Sequence, residues 1–404
     1  MHLVLSYYLF TLLGYVGTVF GPTLPFIIDG FSLSLAQAGT LFFLLSFGHV
    51  LGSISMAPLM RRFDSKPIML LGAVLMAANA LAIPFASRWF LMLGNVCVLG
   101  VGWGLLEVGF NALVSHWSEG DPGPALNRLH LFFALGAWLG PSLISLLLVG
   151  GMAWQLAFFT VAFGFVIFIG IFAKMPAGIF QLAPGKGSHP TGGSLETSEK
   201  VTLRHLLAAP GIVLLGLAIL IYVGVEFSIT GWITTFLTES LGSTAAMGAA
   251  AVSFFWAGLT VGRLICSMFF QRVDYLSLLL FLCAGTAISV GLGALIPIPA
   301  VAVGCFALAG LFSSGIFPTI VASGARAYPD WISSLSSFFS ALAGIGGMLM
   351  PWVLGIIADT VGLGGGLIVL SLFMAMAALL AFALKSSGLE QGTGTQMRFF
   401  DEMN

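Results

Sequence analysis

Glu107, Glu226 and Arg263 stand inside long apolar runs of a chain in which only 7% of residues are Asp, Glu, Lys or Arg. A charged side chain at the centre of an apolar phase costs roughly 3 kcal/mol on insertion scales, so each needs a partner, a water-filled cavity or a ligand. Around the first the sequence reads Gly102-Trp103-Gly104-Leu105-Leu106-Glu107-Val108-Gly109-Phe110-Asn111. Helical spacing puts Trp103, Glu107 and Asn111 on one face. A ring that stacks on C–H faces, beside an amide and a carboxyl that bond hydroxyls, makes a surface suited to a sugar. A carboxyl that takes up and releases a proton inside an apolar phase is also what ion-coupled transport requires. The alternative for Glu107 is a structural hydrogen bond or ion pair between helices.

The same spacing aligns Tyr222, Glu226 and Thr230, with Trp232 nearby. Glu226 is expected to bind substrate or protons, or to serve as a counter-ion. Arg263 lies close enough to a basic helix end for its stem to snorkel. A structural ion pair is expected for it in preference to substrate contact. His130, three residues after Asn127, is read either as a proton relay or as the maker of a helix-end hydrogen bond. Trp256 is a cavity wall or ordinary packing, and His49 and Asn95 are lesser candidates for a polar lining.

The elements that must carry these residues follow from composition. Of 404 residues, 59% are hydrophobic, far more than a water-soluble surface accommodates. Runs continuously apolar over about 20 residues predict membrane-spanning helices rather than the alternating strands of a barrel. Twelve spans are expected, near 3–28, 33–60, 67–87, 89–115, 129–150, 153–173, 206–237, 244–270, 276–296, 299–323, 333–357 and 361–384. With both termini on one side, that side carries Arg61, Arg62, Lys66, Arg128, Lys174, Lys186, Lys200, Arg204, Arg272, Arg326, Lys385 and Arg398. The other side carries only Arg88, so cytoplasmic termini are predicted. Cys97, Cys266, Cys283 and Cys305 have no metal-ligand spacing and read as small buried hydrophobes. A net charge of −1 without a basic patch excludes a nucleic-acid partner, and no nucleophile–base pair, metal set or nucleotide loop suggests an enzyme.

The Pro/Gly/Ser-rich stretch 174–205 predicts a cytoplasmic linker between a six-helix bundle over 1–173 and a second bundle with a short tail over 206–404. The halves repeat. Gly48 and Gly52 are matched by Gly258 and Gly262, and Gly136 and Pro141 by Gly346 and Pro351, all at an offset of 210 residues. Tyr15-Val16-Gly17 is matched by Tyr222-Val223-Gly224 at an offset of 207. Parallel six-helix repeats are the plan of the major facilitator superfamily, in which a midplane cavity between the bundles opens alternately to either side. The loop Ala57-Pro58-Leu59-Met60-Arg61-Arg62-Phe63-Asp64-Ser65-Lys66 keeps part of that superfamily's charge latch, with Asp64 the candidate for its displaced acid.

Several strings together resemble one branch, the fucose–glucose/proton symporter family. They are Glu107–Asn111, Asn127-Arg128-Leu129-His130 with Gly136-Ala137 and Gly140-Pro141, Tyr222–Glu226 with Gly231-Trp232, Phe255–Arg263, Gly310–Pro318, and Gly346-Gly347 with Pro351. The resemblance implies uptake of a hexose or related sugar coupled to protons, with Glu107 at the coupling position. It departs in the first span, where Val19-Phe20-Gly21-Pro22-Thr23-Leu24-Pro25 has no acid and none follows before Asp29. Glu226 as a second site, Glu107 alone, a sodium ion, or uniport all remain open.

The expected molecule is therefore an all-α polytopic membrane protein, a monomeric sugar symporter of the bacterial inner membrane with no cofactor beyond its coupling ion, H+ or alternatively Na+. Glu107 and Glu226 are its proton-coupling candidates. Trp103, Asn111, Tyr222, Glu226, Trp232 and Trp256 are its substrate-binding candidates, and Arg263 and His130 an ion pair or relay. An exporter of drugs or amphiphiles is the alternative. A non-transporting sensor would need a signalling domain for which the linker and tail leave little room.

Overall fold

The computed structural model describes residues 2–118, 122–180, 202–269 and 273–387. Most of the predicted linker, the tail beyond 387, and Arg272 lie outside these residues. The first six spans are α1 (His2–Phe31), α2 (Leu35–Met60), α3 (Ser65–Ala82), α4 (Trp89–Trp117), α5 (Gly123–Val149) and α6 (Gln155–Lys174). The next four are α7 (Pro210–Ser240, whose last turn is a π-helix), α8 (Ala245–Phe269), α9 (Tyr275–Leu295) and α10 (Pro299–Ala327). A continuous helical stretch, Ile332–Ser386, completes the described chain, and it holds the two remaining spans. They meet at Gly362, whose φ of 75° is open to glycine and closed to most other residues, and we label them α11 (332–361) and α12 (363–386).

Two starts differ from the sequence expectation. The fifth helix begins at Gly123 rather than near 129, because Pro124 fits the first turn, where no N–H bond is lost. The seventh begins at Pro210 for the same reason. The preceding Leu203–Ala208 forms a separate short helix capped by Thr202 and His205.

With lipid as apolar as the helices, close packing rather than water exclusion must hold a bundle together, and small residues permit it. In the first bundle a Cβ on Gly48 would overlap the Cys97 carbonyl oxygen, and one on Gly136 the Thr11 carbonyl oxygen. The repeat partners do the same in the second: Gly258 faces the Ala307 carbonyl and Gly346 the Leu220 carbonyl. The offset seen in the sequence is thus a repeat of helix contacts, α2–α4 with α8–α10 and α1–α5 with α7–α11.

The cross-bundle bonds found lie toward the ends remote from the two termini. Asp359 on α11 accepts the Leu35 and Ala36 N–H groups at the start of α2, at 2.7 and 3.0 Å. A carboxylate at a helix N-terminus also meets the positive end of its dipole. Ser145 Oγ donates to the Ala246 carbonyl at 2.8 Å, and Ser253 Oγ to the Trp138 carbonyl at 2.9 Å. Trp352 packs against Phe43 with ring centroids 5.3 Å apart. At the opposite end the loop after α2 is anchored within its own bundle. Lys66 Nζ donates to the Ala173 and Met175 carbonyls at 2.9 and 2.6 Å, at the C-terminus of α6, where a cation is favoured. Asp64 stands at the N-cap of α3 without a side-chain capping bond.

Candidate functional site

The glycine interlock of α2 and α4 sets the site. Gly48 and Gly52 press on the backbone of α4, while Gly104 presses on the His49 carbonyl oxygen. At that separation His49 Nε2 lies 2.9 Å from Glu107 Oε2, with side chains 32% and 26% exposed. The His49 ring centroid is 5.2 Å from that of Trp103. Trp103 stacks on Phe133 of α5 at 6.2 Å, and Phe133 meets Trp256 of α8 edge-on at 6.2 Å. An aromatic wall therefore runs from one bundle to the other. Gly17 on α1 leaves room for it, since a Cβ there would stand 3.1 Å from the Trp103 ring.

Three polar atoms are buried and have no hydrogen-bond partner among the described residues: Trp103 Nε1 and Trp256 Nε1 on this wall, and Asn111 Oδ1 about two turns along α4 from Trp103. Two unused N–H donors beside rings, with a carbonyl acceptor further along the same helix, suit the hydroxyl edges and C–H faces of a carbohydrate. Buried polar groups are otherwise almost always bonded.

A second set is built on α7 and α8. The Tyr222 hydroxyl donates to Glu226 Oε2 one turn further along, and Thr230 Oγ1 donates to the Glu226 carbonyl at 2.9 Å. Glu226 is buried, and Arg263 acts electrostatically on both Glu226 and Tyr222. His130 is within electrostatic range of both Glu107 and Arg263. With α5 beginning at Gly123, His130 sits about two turns inside the helix, edge-on to Phe10 at 5.5 Å, and not at a helix end.

Of the residues singled out in the sequence, the structure gathers Trp103, Glu107 and Trp256 about the wall, with Asn111 further along α4, and Tyr222, Glu226 and Arg263 about the second carboxylate. Trp232 stands elsewhere. Its indole N–H donates to the Pro351 carbonyl at 2.8 Å, and its ring packs 5.9 Å from Phe42 of the other bundle. Asn95 borders a shallow groove with Ala78, Leu81 and Phe85, apart from the wall. His49, a lesser candidate by sequence, stands against Glu107. The signal lay in its place directly after Gly48 of a Gly-x-x-x-Gly pair, the position that helix contact brings against α4.

Comparison with known proteins agrees with this architecture. The pattern of the Major Facilitator Superfamily matches residues 7–330, and the chain belongs to that superfamily. It is similar to the glucose/mannose transporter of Bacillus subtilis (strain 168), 24% identical over 383 residues, covering 93% of this chain and 92% of the relative. It is also similar to the glucose/galactose transporter of Brucella abortus biovar 1 (strain 9-941), 27% identical over 384 residues, covering 88% and 87%. The crystal structure of a D-xylose-proton symporter superposes with a TM-score of 0.73 at 13% identity, covering 94% of this chain and 96% of that one, which shows the shared fold. The protein is thus a multi-pass membrane protein of a transporter superfamily.

Proposed function

We propose that the chain is a sugar transporter working by alternating access, with a hexose as substrate and proton symport as the driving reaction. The observation that carries this reading is the pair of unpaired buried indole N–H groups, Trp103 Nε1 and Trp256 Nε1, on an aromatic wall shared by both bundles, with the unpaired Asn111 Oδ1 on the same helix as Trp103. The names of the two sugar-transporting relatives support the substrate class. Glu107, partly exposed and beside an ionisable histidine, supplies an acid in the same place. The Lys/Arg bias supports cytoplasmic termini, in a bacterial inner membrane on this reading. On that orientation the structure is sealed on the outside, where Asp359 holds the start of α2. The working unit is a monomer.

The test is uptake by purified protein in proteoliposomes. A panel of labelled hexoses is offered with an inward proton gradient, a sodium gradient, or neither. Accumulation of glucose, mannose or galactose above equilibrium with the proton gradient alone is the expected result. Accumulation with sodium alone would replace the coupling ion. A protein that moves none of the sugars but lowers the dye content of vesicles is an amphiphile exporter.

A further inference from the structure

We propose that His49 is the second proton-binding group of the transport site, forming with Glu107 a two-residue proton acceptor across α2 and α4. The inference rests on the proton-coupled reading above. Its starting point is a contact between two titratable side chains on different helices, with Nε2 of His49 2.9 Å from Oε2 of Glu107.

The chemistry of the pair suits a carrier. With Nε2 engaged by Glu107, Nδ1 is the nitrogen left to trade a proton with water, and both side chains are partly exposed. Uptake at Nδ1 turns neutral imidazole beside carboxylate, net −1, into imidazolium beside carboxylate, net zero. Passage of the Nε2 proton to Oε2 gives neutral imidazole and carboxylic acid, again net zero. Gain of a single proton therefore removes one net charge from an apolar region, where such a charge is costly. Histidine is the side chain whose ordinary titration falls in the physiological range.

The surroundings allow this exchange without dictating it. The titratable groups acting on Glu107 are His49 and His130 of α5, and His130 itself feels Arg263 of α8. From α1 the neighbour is Gly17, and from α3 Gly72 and Met76 face Gly102 of α4. Asp359 of α11 also packs on α2, but at its far end, where the Leu35 and Ala36 N–H groups engage it.

His49→Gln keeps a hydrogen-bonding side chain next to Glu107 and cannot titrate. In proteoliposomes with glucose as the probe, accumulation driven by a proton gradient should fall at least about tenfold, as expected when one member of a proton-transfer pair is removed. Glucose exchange between equal pools should persist, weakened, and lose its pH dependence across the imidazole range. Asn95→Ala, in the outlying groove, serves as the control that retains both. If His49→Gln accumulates glucose with the wild-type pH profile, the contact is structural and the proposal is overturned. Equal loss of exchange and accumulation in both His49→Gln and His49→Asn also overturns it. A wild-type protein that exchanges glucose but ignores the gradient removes the coupling reading, and this proposal with it.

Discussion

The two membrane carboxylates sit in matching bundles and face opposite circumstances. Glu107 is partly exposed, and its partner is an ionisable histidine on another helix, 2.9 Å away. Glu226 is buried, and its donor is a tyrosine of its own helix, with a permanently charged arginine in reach. On the proposed reading the first arrangement exchanges its proton and the second, whose donors do not titrate under ordinary conditions, holds its carboxylate in place. The two acids stand on helices that the repeat does not pair, α4 and α7, so scaffold and side-chain partners both differ.

The sharpest way to break this comparison is to neutralise each acid. Glu107→Gln should reduce gradient-driven sugar accumulation by about a hundredfold, the scale of a lost proton-transfer group. Glu226→Gln should slow transport yet keep the ratio of protons to sugar, measured with a pH dye in the vesicle lumen. The reverse pattern would exchange the two roles. Next in size is the scaffold. Gly48→Ala would drive a methyl into the Cys97 carbonyl and should cost about 1–3 kcal/mol, the usual cost of overpacking. Gly258→Ala in the second bundle should cost a similar amount, and thermal unfolding of the two variants measures both. A large difference between them would show that the bundles are not equivalent supports.

Tyr222→Phe removes a hydrogen bond to a carboxylate and should destabilise the protein by about 2 kcal/mol while leaving the pH profile of transport alone. A shifted profile would mean that Glu226 also exchanges protons. The smallest effect concerns the sealed end. Asp359→Asn weakens the carboxylate's hold on the start of α2 by about 1 kcal/mol, roughly a fivefold change in an opening equilibrium. Faster thiol labelling of a cysteine placed at Phe43 would report it. Unchanged labelling would show that Trp352 and the serine contacts of α5 and α8 hold that end by themselves.

Much of this was legible in the chain. Continuous apolar runs announced the spans, because a bilayer demands length and self-satisfied backbone. The Gly48/Gly258 and Gly136/Gly346 matches announced the repeat, and these positions prove to be helix contacts. Trp103 and Glu107 were legible as one face because four residues make about one helical turn. His130 was misplaced at a helix end because Pro124 reads as a break in sequence yet fits a first turn. Trp232 looked like a site residue beside Glu226, but its N–H is taken by the Pro351 carbonyl, 119 positions away.

The sequence by itself determined the class of the protein, the number of spans, the repeat, and which few residues are too polar to be idle. Tertiary structure alone decided their long-range partners: His49 with Glu107, Phe133 between Trp103 and Trp256, Asp359 on α2. The reason is physical. In water, an apolar stripe reveals which face of a helix turns inward. In lipid both faces are apolar, so the rotation of each helix is set by where glycines let backbones meet, and that depends on two distant segments at once.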